Sequence, residues 1–264
     1  MPTTKVVPFD LATDIPSLVG KVILITGANS GLGKQSSLEL AKHNPARIWM
    51  AARNPEKGNQ AVADVKSQVP DAKVTFLEMD LSSFDSIKKA AKTIQMGTNH
   101  IGHALLLKLL TPLLEQTATP TATPSRIVSL ASAAFKHIGP EMIQFSALKS
   151  LDGVSPVSRY IQSKTANLLY AQGFAKHNPR VTIVSVDPGE VATQLFLREP
   201  GDEQMTYLQT DVAPKMTRPI EEGVKNPLWA AVAVEGVPSG VMLDEELAGE
   251  VWEWTQKELE DQQL

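Results

Sequence analysis

The stretch KVILITGANSGLGK, residues 21–34, joins an apolar, β-branched run to a glycine-rich turn and then to a helical pattern. Gly27, Gly31 and Gly33 lie where a strand gives way to a helix, and glycine there lets a bound group approach the backbone closely. The following helix would direct N-terminal N–H groups and partial positive charge at that group, which favours a pyrophosphate. The stretch therefore predicts a dinucleotide-binding turn made of Gly27, Asn29, Ser30, Gly31, Leu32 and Gly33.

The pattern of this first strand recurs along the chain. Short runs rich in Val and Ile alternate with amphipathic segments, which is typical of a parallel sheet covered by helices on both faces. We predict an α/β fold with a Rossmann-like, doubly wound parallel sheet in a single domain of residues 1–264. The predicted strands are 21–27, 46–53, 73–80, 126–132 and 180–189, and the predicted helices are 33–43, 55–68, 83–95, 99–116, 158–176, 220–235 and 246–259.

Composition narrows the classes of function. The 264 residues are 42% hydrophobic, which is enough for one well-buried α/β domain. A net charge of −4 with scattered basic residues gives no electrostatic basis for binding nucleic acid. With no cysteine and five scattered histidines, no metal site is expected, and we interpret His100 and His103 as helix-surface or interface residues. Without a secretory signal pattern or a long apolar run, we expect a soluble, cytoplasmic protein with no membrane span.

The end of the second predicted strand bears on which dinucleotide is bound. AARN, residues 51–54, offers no Asp or Glu for a ribose 2′-hydroxyl, whereas Arg53 could pair with a 2′-phosphate. NADP(H) is therefore preferred over NAD(H), and a solvated loop residue is the alternative interpretation of Arg53. Asp80, after the third strand, could contact the adenine or cap the helix that follows.

A candidate proton-transfer pair lies in YIQSK. Tyr160 and Lys164 are four residues apart, so a helix presents both on one face. An ammonium beside a phenol favours the phenolate, which would lower the pKa of Tyr160 from about 10 toward the working range. Tyr160 is therefore a candidate proton donor and acceptor. This spacing is common by itself and gains weight only from the motifs around it.

Six motifs follow one another along nearly the whole chain: TGANSGLG, Asp80, TNHIGH, RIVSLAS, YIQSK and DPGEVAT. Together they resemble the short-chain dehydrogenase/reductase family, most closely its retinol-dehydrogenase-like branch. The resemblance implies reversible hydride transfer between NADP(H) and a carbonyl or alcohol. It implies that Tyr160 is the general acid/base and that Lys164 binds the nicotinamide ribose.

The resemblance also implies roles for residues outside YIQSK. Ser132 would hydrogen-bond the substrate carbonyl or alcohol, and Asn99 would support a proton-relay water. Pro188, Gly189 and Thr193 would meet the nicotinamide and its carboxamide. Routine capping or turn bonding is the alternative interpretation of Ser132 and Thr193.

The junction KTIQMGTNHIGHALL, residues 92–106, is shorter than the family pattern implies. The family has a fourth strand and a long loop before TNHIGH, but Asp80 and Asn99 are only 19 residues apart here. An empty slot would cost each neighbouring strand about five or six residues of pairing, so we expect a sheet one strand short in which RIVSLA pairs with the first strand. That shift would displace Ser132 from the glycine turn, and the alternative function is a catalytically impaired relative that binds nucleotide or a partner protein.

Residues 194–219 lack a clean period and follow a strand that ends at the ligand side of such a sheet. We interpret them as a substrate lid, with an ordinary surface loop as the alternative. An apolar carbonyl or alcohol is favoured as the small-molecule substrate by Phe196, Leu197, Met205, Tyr207 and Leu208. A homo-oligomer could form on helix 99–116 and on the turns around Trp252 and Trp254.

Overall fold

The structure is a computed structural model that describes residues 9–82, 96–118, 125–137, 143–146, 148, 154–191, 218–233 and 245–260. The chain forms two compact units, the first of Met1–Asp80 with Pro188–Val234 and the second of Leu81–Asp187 with Glu235–Leu264. The single domain predicted for residues 1–264 stays a prediction. The predicted helix at 83–95, Thr193 and the apolar lid residues lie outside the described residues.

Strands and helices alternate along the chain, as the sequence pattern predicts. In order they are β1 (Val22–Thr26), α1 (Gly31–Ala41), β2 (Arg47–Ala52), α2 (Pro55–Gln68), β3 (Val74–Glu78), a π-helical turn (Gly97–Ile101), α3 (Gly102–Thr117), β4 (Arg126–Leu130), a 3-10 turn (Ala133–His137), α4 (Pro156–His177), β5 (Thr182–Val186), α5 (Ile220–Gly223), α6 (Lys225–Val232) and α7 (Glu245–Glu258). Among the helices in the described ranges, none is both long enough and apolar enough to cross a bilayer.

Local sequence signals explain where the helices begin. At α2 the side chain of Asn54 accepts a hydrogen bond from the backbone N–H of Lys57 at 2.8 Å, and Pro55 occupies the first helical position. At α4 the hydroxyl of Ser155 accepts from the N–H of Ser158 at 3.1 Å, again with proline in the first turn. Both helices therefore start on a polar cap followed by a proline, which restricts their first turn to helical geometry.

The strands are all parallel and form two sheets. β1, β2 and β3 form one sheet in that order, with Ile23 opposite Ile48 and Ile48 opposite Val74. β4 and β5 form the other, with Val128 opposite Val184. The parallel α/β fold predicted from the sequence is confirmed, since each parallel pair is joined through a helix.

The predicted position of the fourth strand is wrong for the strands that the structure describes. RIVSLA was expected to pair with β1, which would place β1 and β4 in one sheet. Among the described strands the sheet containing β1 has the order β1-β2-β3, and β4 belongs to a separate sheet with β5. Two parallel strands joined by one helix come from one continuous stretch of chain. The units β1–α1–β2 and β4–α4–β5 can therefore form without the additional strand that the family pattern places between β1 and β4. No strand is described between β3 and β4, where residues 83–95 and 119–124 lie outside the described part.

Each unit has its own apolar core. In the first, β2 is the most buried strand, and Ile48, Met50 and Val65 are almost fully enclosed. In the second, Leu169 and Phe174 of α4 pack with Ile183 of β5 and with α7. The aromatic side chains of α7, predicted as a surface for another subunit, pack within this unit. Trp252 stacks on Tyr170 at 5.2 Å and on His177 at 4.3 Å between ring centroids, and Trp254 packs against His100 and Phe145. A homo-oligomer stays a prediction.

A close contact between α2 and β3 generates a stability prediction. A Cβ added at Gly58 would lie 2.1 Å from the Phe76 ring, so Gly58→Ala forces the ring to move. We expect the free energy of unfolding to fall by about 1 to 2 kcal/mol, measured by urea denaturation. The loss should shrink in the Phe76→Leu background, because the smaller side chain relieves the overlap.

Gly249 is the matched control for this substitution. It lies in α7, and an added Cβ there meets nothing within 4 Å. Gly249→Ala should therefore raise the free energy of unfolding by up to about 1 kcal/mol through helix propensity alone. Equal effects of the two substitutions would contradict the packing argument.

Candidate active site

The glycine turn has the geometry that its sequence predicts. Gly27 and Gly31 have positive φ angles of 63° and 52°, which side chains disfavour. At Gly33 an added Cβ would lie 2.7 Å from the carbonyl oxygen of Gly27, so the turn and the first turn of α1 meet backbone to backbone. The first turn of α1, described throughout, contains no acidic side chain. The N-terminus of α1 therefore presents N–H groups and partial positive charge suited to a phosphate.

The backbone connects this turn to the end of β2. The N–H of Ala28 donates to the carbonyl of Ala51 at 3.1 Å, and two residues further along Arg53 is exposed to solvent. Asp80 is half-buried beyond the end of β3, where the N–H of Met79 donates to Ala52 at 3.0 Å. The glycine turn, Arg53 and Asp80 therefore follow the carboxyl ends of adjacent strands in one parallel sheet. Whether Asp80 contacts an adenine or caps a helix stays a prediction.

Pro188 and Gly189 follow β5 along the chain and belong to the first unit. Gly189 has a positive φ of 78°, and the Arg218 guanidinium carbon lies 3.3 Å from where its Cβ would be. The N–H of Arg218 donates to the carbonyl of Glu190 at 2.8 Å, which holds the segment after Gly189 in place. Thr193, the third residue predicted for the nicotinamide, lies outside the described residues.

The second unit brings together the predicted proton-transfer residues. Tyr160 and Lys164 lie one turn apart on α4, with the Lys164 Nζ 6.0 Å from the centre of the Tyr160 ring. Ser132, two residues past the end of β4, hydrogen-bonds the Tyr160 side chain. The Lys164 Nζ donates to the carbonyl oxygen of Leu130 at 3.0 Å, so the lysine is anchored to the strand that leads to Ser132.

Charge and burial set the protonation of this pair differently from the sequence prediction. Burial raises the pKa of Tyr160, the Asp187 carboxylate raises it further, and the bond from Ser132 opposes both. The expectation of a lowered pKa is wrong here, because burial of the phenol and the Asp187 carboxylate both disfavour the phenolate. Burial lowers the pKa of Lys164 to about 8, partly offset by Asp187.

Asn99 is connected to the backbone of Tyr160 by two hydrogen bonds through the Ser163 hydroxyl. It lies in the π-helical turn, a distortion often found at functional sites. Its Nδ2 donates to the Ser163 hydroxyl at 3.0 Å, and that hydroxyl donates to the carbonyl of Tyr160 at 2.8 Å. The structure thus connects Asn99 to the α4 backbone at Tyr160, and its implied role toward a water stays a prediction.

Sequence reasoning missed two polar residues of this unit. Asp187, quoted in DPGEVAT without a role, acts electrostatically on both Tyr160 and Lys164. The sequence could have indicated Asp187 as a site residue, because it is a carboxylate at the carboxyl end of a predicted strand. His100, interpreted as a surface or interface residue, is instead 1% exposed, and burial lowers its pKa to about 4. His103, at the start of α3, donates from Nδ1 to the carbonyl of Thr98 in the preceding π-helical turn at 3.1 Å.

Comparisons of sequence identify the family to which this chain is similar. The family model described as short chain dehydrogenase matches residues 21–107. The short-chain dehydrogenase/reductase drtF of Aspergillus calidoustus is 29% identical over 95% of this chain and 97% of its own length. Retinol dehydrogenase 11 of Homo sapiens is 31% identical over 72% of this chain and 67% of its own length. The alignment with drtF runs over 308 positions, so this relative contains residues with no counterpart among the 264 present here.

Solved structures agree with the fold. A protein from Mycobacterium paratuberculosis has a TM-score of 0.67 at 22% identity, covering 96% of this chain and 98% of its own. A Shigella flexneri short chain dehydrogenase complexed with NADP has a TM-score of 0.59 at 16% identity, covering 82% and 93%. The Rossmann-like α/β fold, the matched family model and the retinol dehydrogenase relative lead to one conclusion. The chain belongs to the short-chain dehydrogenase/reductase family.

Proposed function

We propose that this chain is an NADP(H)-dependent oxidoreductase that interconverts a carbonyl and an alcohol, with Tyr160 as the general acid/base. The observation that carries the proposal is the group formed by Ser132, Tyr160 and Lys164 in the second unit. A hydroxyl that bonds the phenol and a largely buried lysine one turn away are the parts that proton transfer to a carbonyl oxygen needs.

The protonation state of Tyr160 determines whether it donates or accepts a proton. Because burial raises the pKa of Tyr160 from its ordinary value, its phenol stays protonated at neutral pH and can donate to an oxygen that gains negative charge. Ser132 can bond the same oxygen, which would orient the carbonyl carbon for reduction. A bound nicotinamide would supply the hydride, and Lys164 would hold its ribose.

The preference for NADP(H) rests on the first unit. The glycine turn accepts a pyrophosphate at the N-terminus of α1, and Arg53 supplies an exposed guanidinium past the end of β2. The Shigella flexneri neighbour that was solved with NADP supports the same choice. Asn29, Ser30, Leu32 and Asp80 complete the proposed cofactor site.

An apolar carbonyl or alcohol is the proposed substrate class. The relatives named retinol dehydrogenase support membership of that branch, and retinol is itself an apolar alcohol. The apolar residues predicted in the lid favour the same class. The absence of cysteine from the sequence fits a reducing compartment, so we propose the cytoplasm as the location.

A second candidate is a relative that binds nucleotide or a partner protein without turnover. Two observations favour it: the described strands form two sheets rather than one, and drtF aligns over more positions than this chain has residues. Both fit the loss of a strand and loop before TNHIGH. Turnover of NADPH with a panel of aldehydes and ketones, together with calorimetric titration of the cofactor, separates the two candidates.

Tyr160→Phe tests the assigned proton donor. The substitution should lower kcat by about 10²-fold to 10⁴-fold, because it removes the general acid, and leave the Kd for NADPH within about twofold. Tyr170→Phe, on the same helix and also buried, is the control and should leave kcat within about twofold. Equal rates for wild type and Tyr160→Phe would exclude the assigned role.

Arg53→Ala tests the cofactor preference. Loss of the guanidinium should raise the Kd for NADPH by about tenfold or more and leave the Kd for NADH unchanged, since only NADPH carries the 2′-phosphate. Arg47→Ala, at the other end of β2, is the control because that side chain bonds Thr75 at 2.9 Å. A parallel loss of both cofactors in Arg53→Ala would argue against 2′-phosphate recognition.

Lys164→Met tests the cost of burying the ammonium. The pKa falls from 10.5 to about 8, so at pH 7 the folded state keeps this charge at a cost of about 3 kcal/mol. Allowing about 1 kcal/mol for the lost bond to Leu130, we expect Lys164→Met to raise the free energy of unfolding by roughly 1 to 2 kcal/mol at pH 7 while abolishing turnover.

The pH dependence has a defined sign. Between pH 8 and 10.5 the unfolded chain binds a proton at Lys164 that the folded chain does not, so the wild type gains stability as pH rises through this window. Lys164→Met should lack this gain, measured by urea denaturation at pH 7 and pH 9.5. Lys176→Met, with 69% of the lysine side chain exposed, is the control and should match wild type within about 0.5 kcal/mol. A destabilised Lys164→Met at pH 7 would contradict the argument.

A further inference from the structure

One peptide group in the second unit is bonded on both of its sides. The N–H of Ala131 donates to the carbonyl of Val186 on β5 at 2.9 Å. The carbonyl of Leu130, in the same peptide, accepts from the Lys164 Nζ at 3.0 Å and from the Asn167 Nδ2 at 3.3 Å. Ser132 is the next residue, so its position relative to Tyr160 depends on how firmly this peptide is held.

The Asn167 amide can hold that carbonyl only in one of its two orientations. Its Nδ2 must face Leu130, which leaves Oδ1 as an acceptor for a different donor. The His100 Nδ1 lies 3.1 Å from this Oδ1 and donates to it. A histidine nitrogen with its proton therefore selects the amide orientation in which Asn167 donates to Leu130.

The imidazole of His100 is itself held in one state. Burial keeps it neutral, because its pKa is lowered to about 4, so one ring nitrogen donates and the other accepts. With the proton on Nδ1, Nε2 accepts from the Thr255 hydroxyl at 2.9 Å. The Tyr170 ring meets the imidazole edge to face at 5.3 Å, and the Trp254 ring stacks on it at 6.3 Å.

These polar groups are buried, so each hydrogen bond between them is costly to lose. His100 is 1% exposed, Asn167 is 8% exposed and Thr255 is fully buried. A buried polar group without a partner costs much more than an exposed one, so a reversed amide that faces Leu130 with its oxygen is strongly disfavoured. Thr255, His100 and Asn167 thus form a directed chain of bonds from α7 to the end of β4.

We propose that His100 and Asn167 are positioning residues: the imidazole orients the Asn167 amide, which fixes the Leu130–Ala131 peptide and thereby sets Ser132 against Tyr160. The proposal rests on the proposed function for its effect on turnover. The Leu130 carbonyl has two donors, so Asn167 would keep it bonded if Lys164 gave up its own bond to hold a nicotinamide ribose. The end of β4 would then keep its position when the cofactor binds.

The first test needs neither a variant nor activity. Long-range ¹H–¹⁵N NMR spectra of the wild-type protein report which nitrogen of His100 carries the proton. We expect the neutral Nδ1–H form throughout pH 6 to 8. The Nε2–H form would overturn the proposal, because Nδ1 would then accept from Asn167 and the amide oxygen would face Leu130.

The second test measures amide hydrogen exchange at Ala131. Asn167→Leu and His100→Leu should each speed this exchange by about tenfold relative to Gln162→Leu, which is the control. Gln162 is also a buried polar residue of α4, but its side chain accepts from the N–H of Gln144 and has no bond to Leu130. His100→Asn keeps a donor near the Nδ1 position and should return the exchange toward the wild-type rate.

If amide exchange at Ala131 is equally fast in Asn167→Leu and Gln162→Leu, the proposal is overturned. Asn167 would then contribute to packing in the same way as any other buried polar residue of α4. In an active protein, Asn167→Leu should lower kcat by about tenfold with the KM for the carbonyl substrate within about twofold. If wild type shows neither turnover nor NADPH binding, the proposed function fails, while the tautomer and exchange results still decide whether His100 and Asn167 hold the peptide.

Discussion

The arrangement of Ser132, Tyr160 and Lys164, the proposed acid/base group, is centred on the Leu130–Ala131 peptide. The parallel ladder of β4 and β5 holds its N–H, and two side chains of α4 hold its carbonyl. One of these side chains is Lys164, so the strand that leads to Ser132 and the helix that carries Tyr160 meet at a single oxygen atom. A local βαβ unit therefore suffices to bring Ser132, Tyr160 and Lys164 together, because all of its parts come from residues 126–187.

The parts of the fold that depend on neighbouring residues could be predicted from the sequence. Strand and helix positions follow from apolar periodicity, and α2 matches its predicted range of 55–68 because Asn54 and Pro55 define its start. The neighbour of β4 could not be predicted in this way. Strand order depends on contacts between distant parts of the chain, and nothing within RIVSLA itself specifies whether β1 joins the same sheet.

The same division applies to the candidate site. The spacing of Tyr160 and Lys164 predicts one helical face, and the structure has that arrangement. The direction of the Tyr160 pKa shift depends instead on burial and on Asp187, which reaches the phenol only after β5 has folded beside β4. His100 escaped prediction for a related reason: its partners Asn167 and Thr255 are 67 and 155 residues away in sequence.

The contrast between Gly33 and Gly249 has a consequence for how this chain can vary over generations. Every amino acid that replaces glycine brings a Cβ, and at Gly33 that atom would lie 2.7 Å from a backbone oxygen that has little freedom to retreat. At Gly249 the same atom enters open space. A single nucleotide change that alters the first residue should thus be removed by selection wherever the turn is used, whereas changes at the second can drift. Variation among natural copies of this sequence would then record which glycines serve packing and which are incidental.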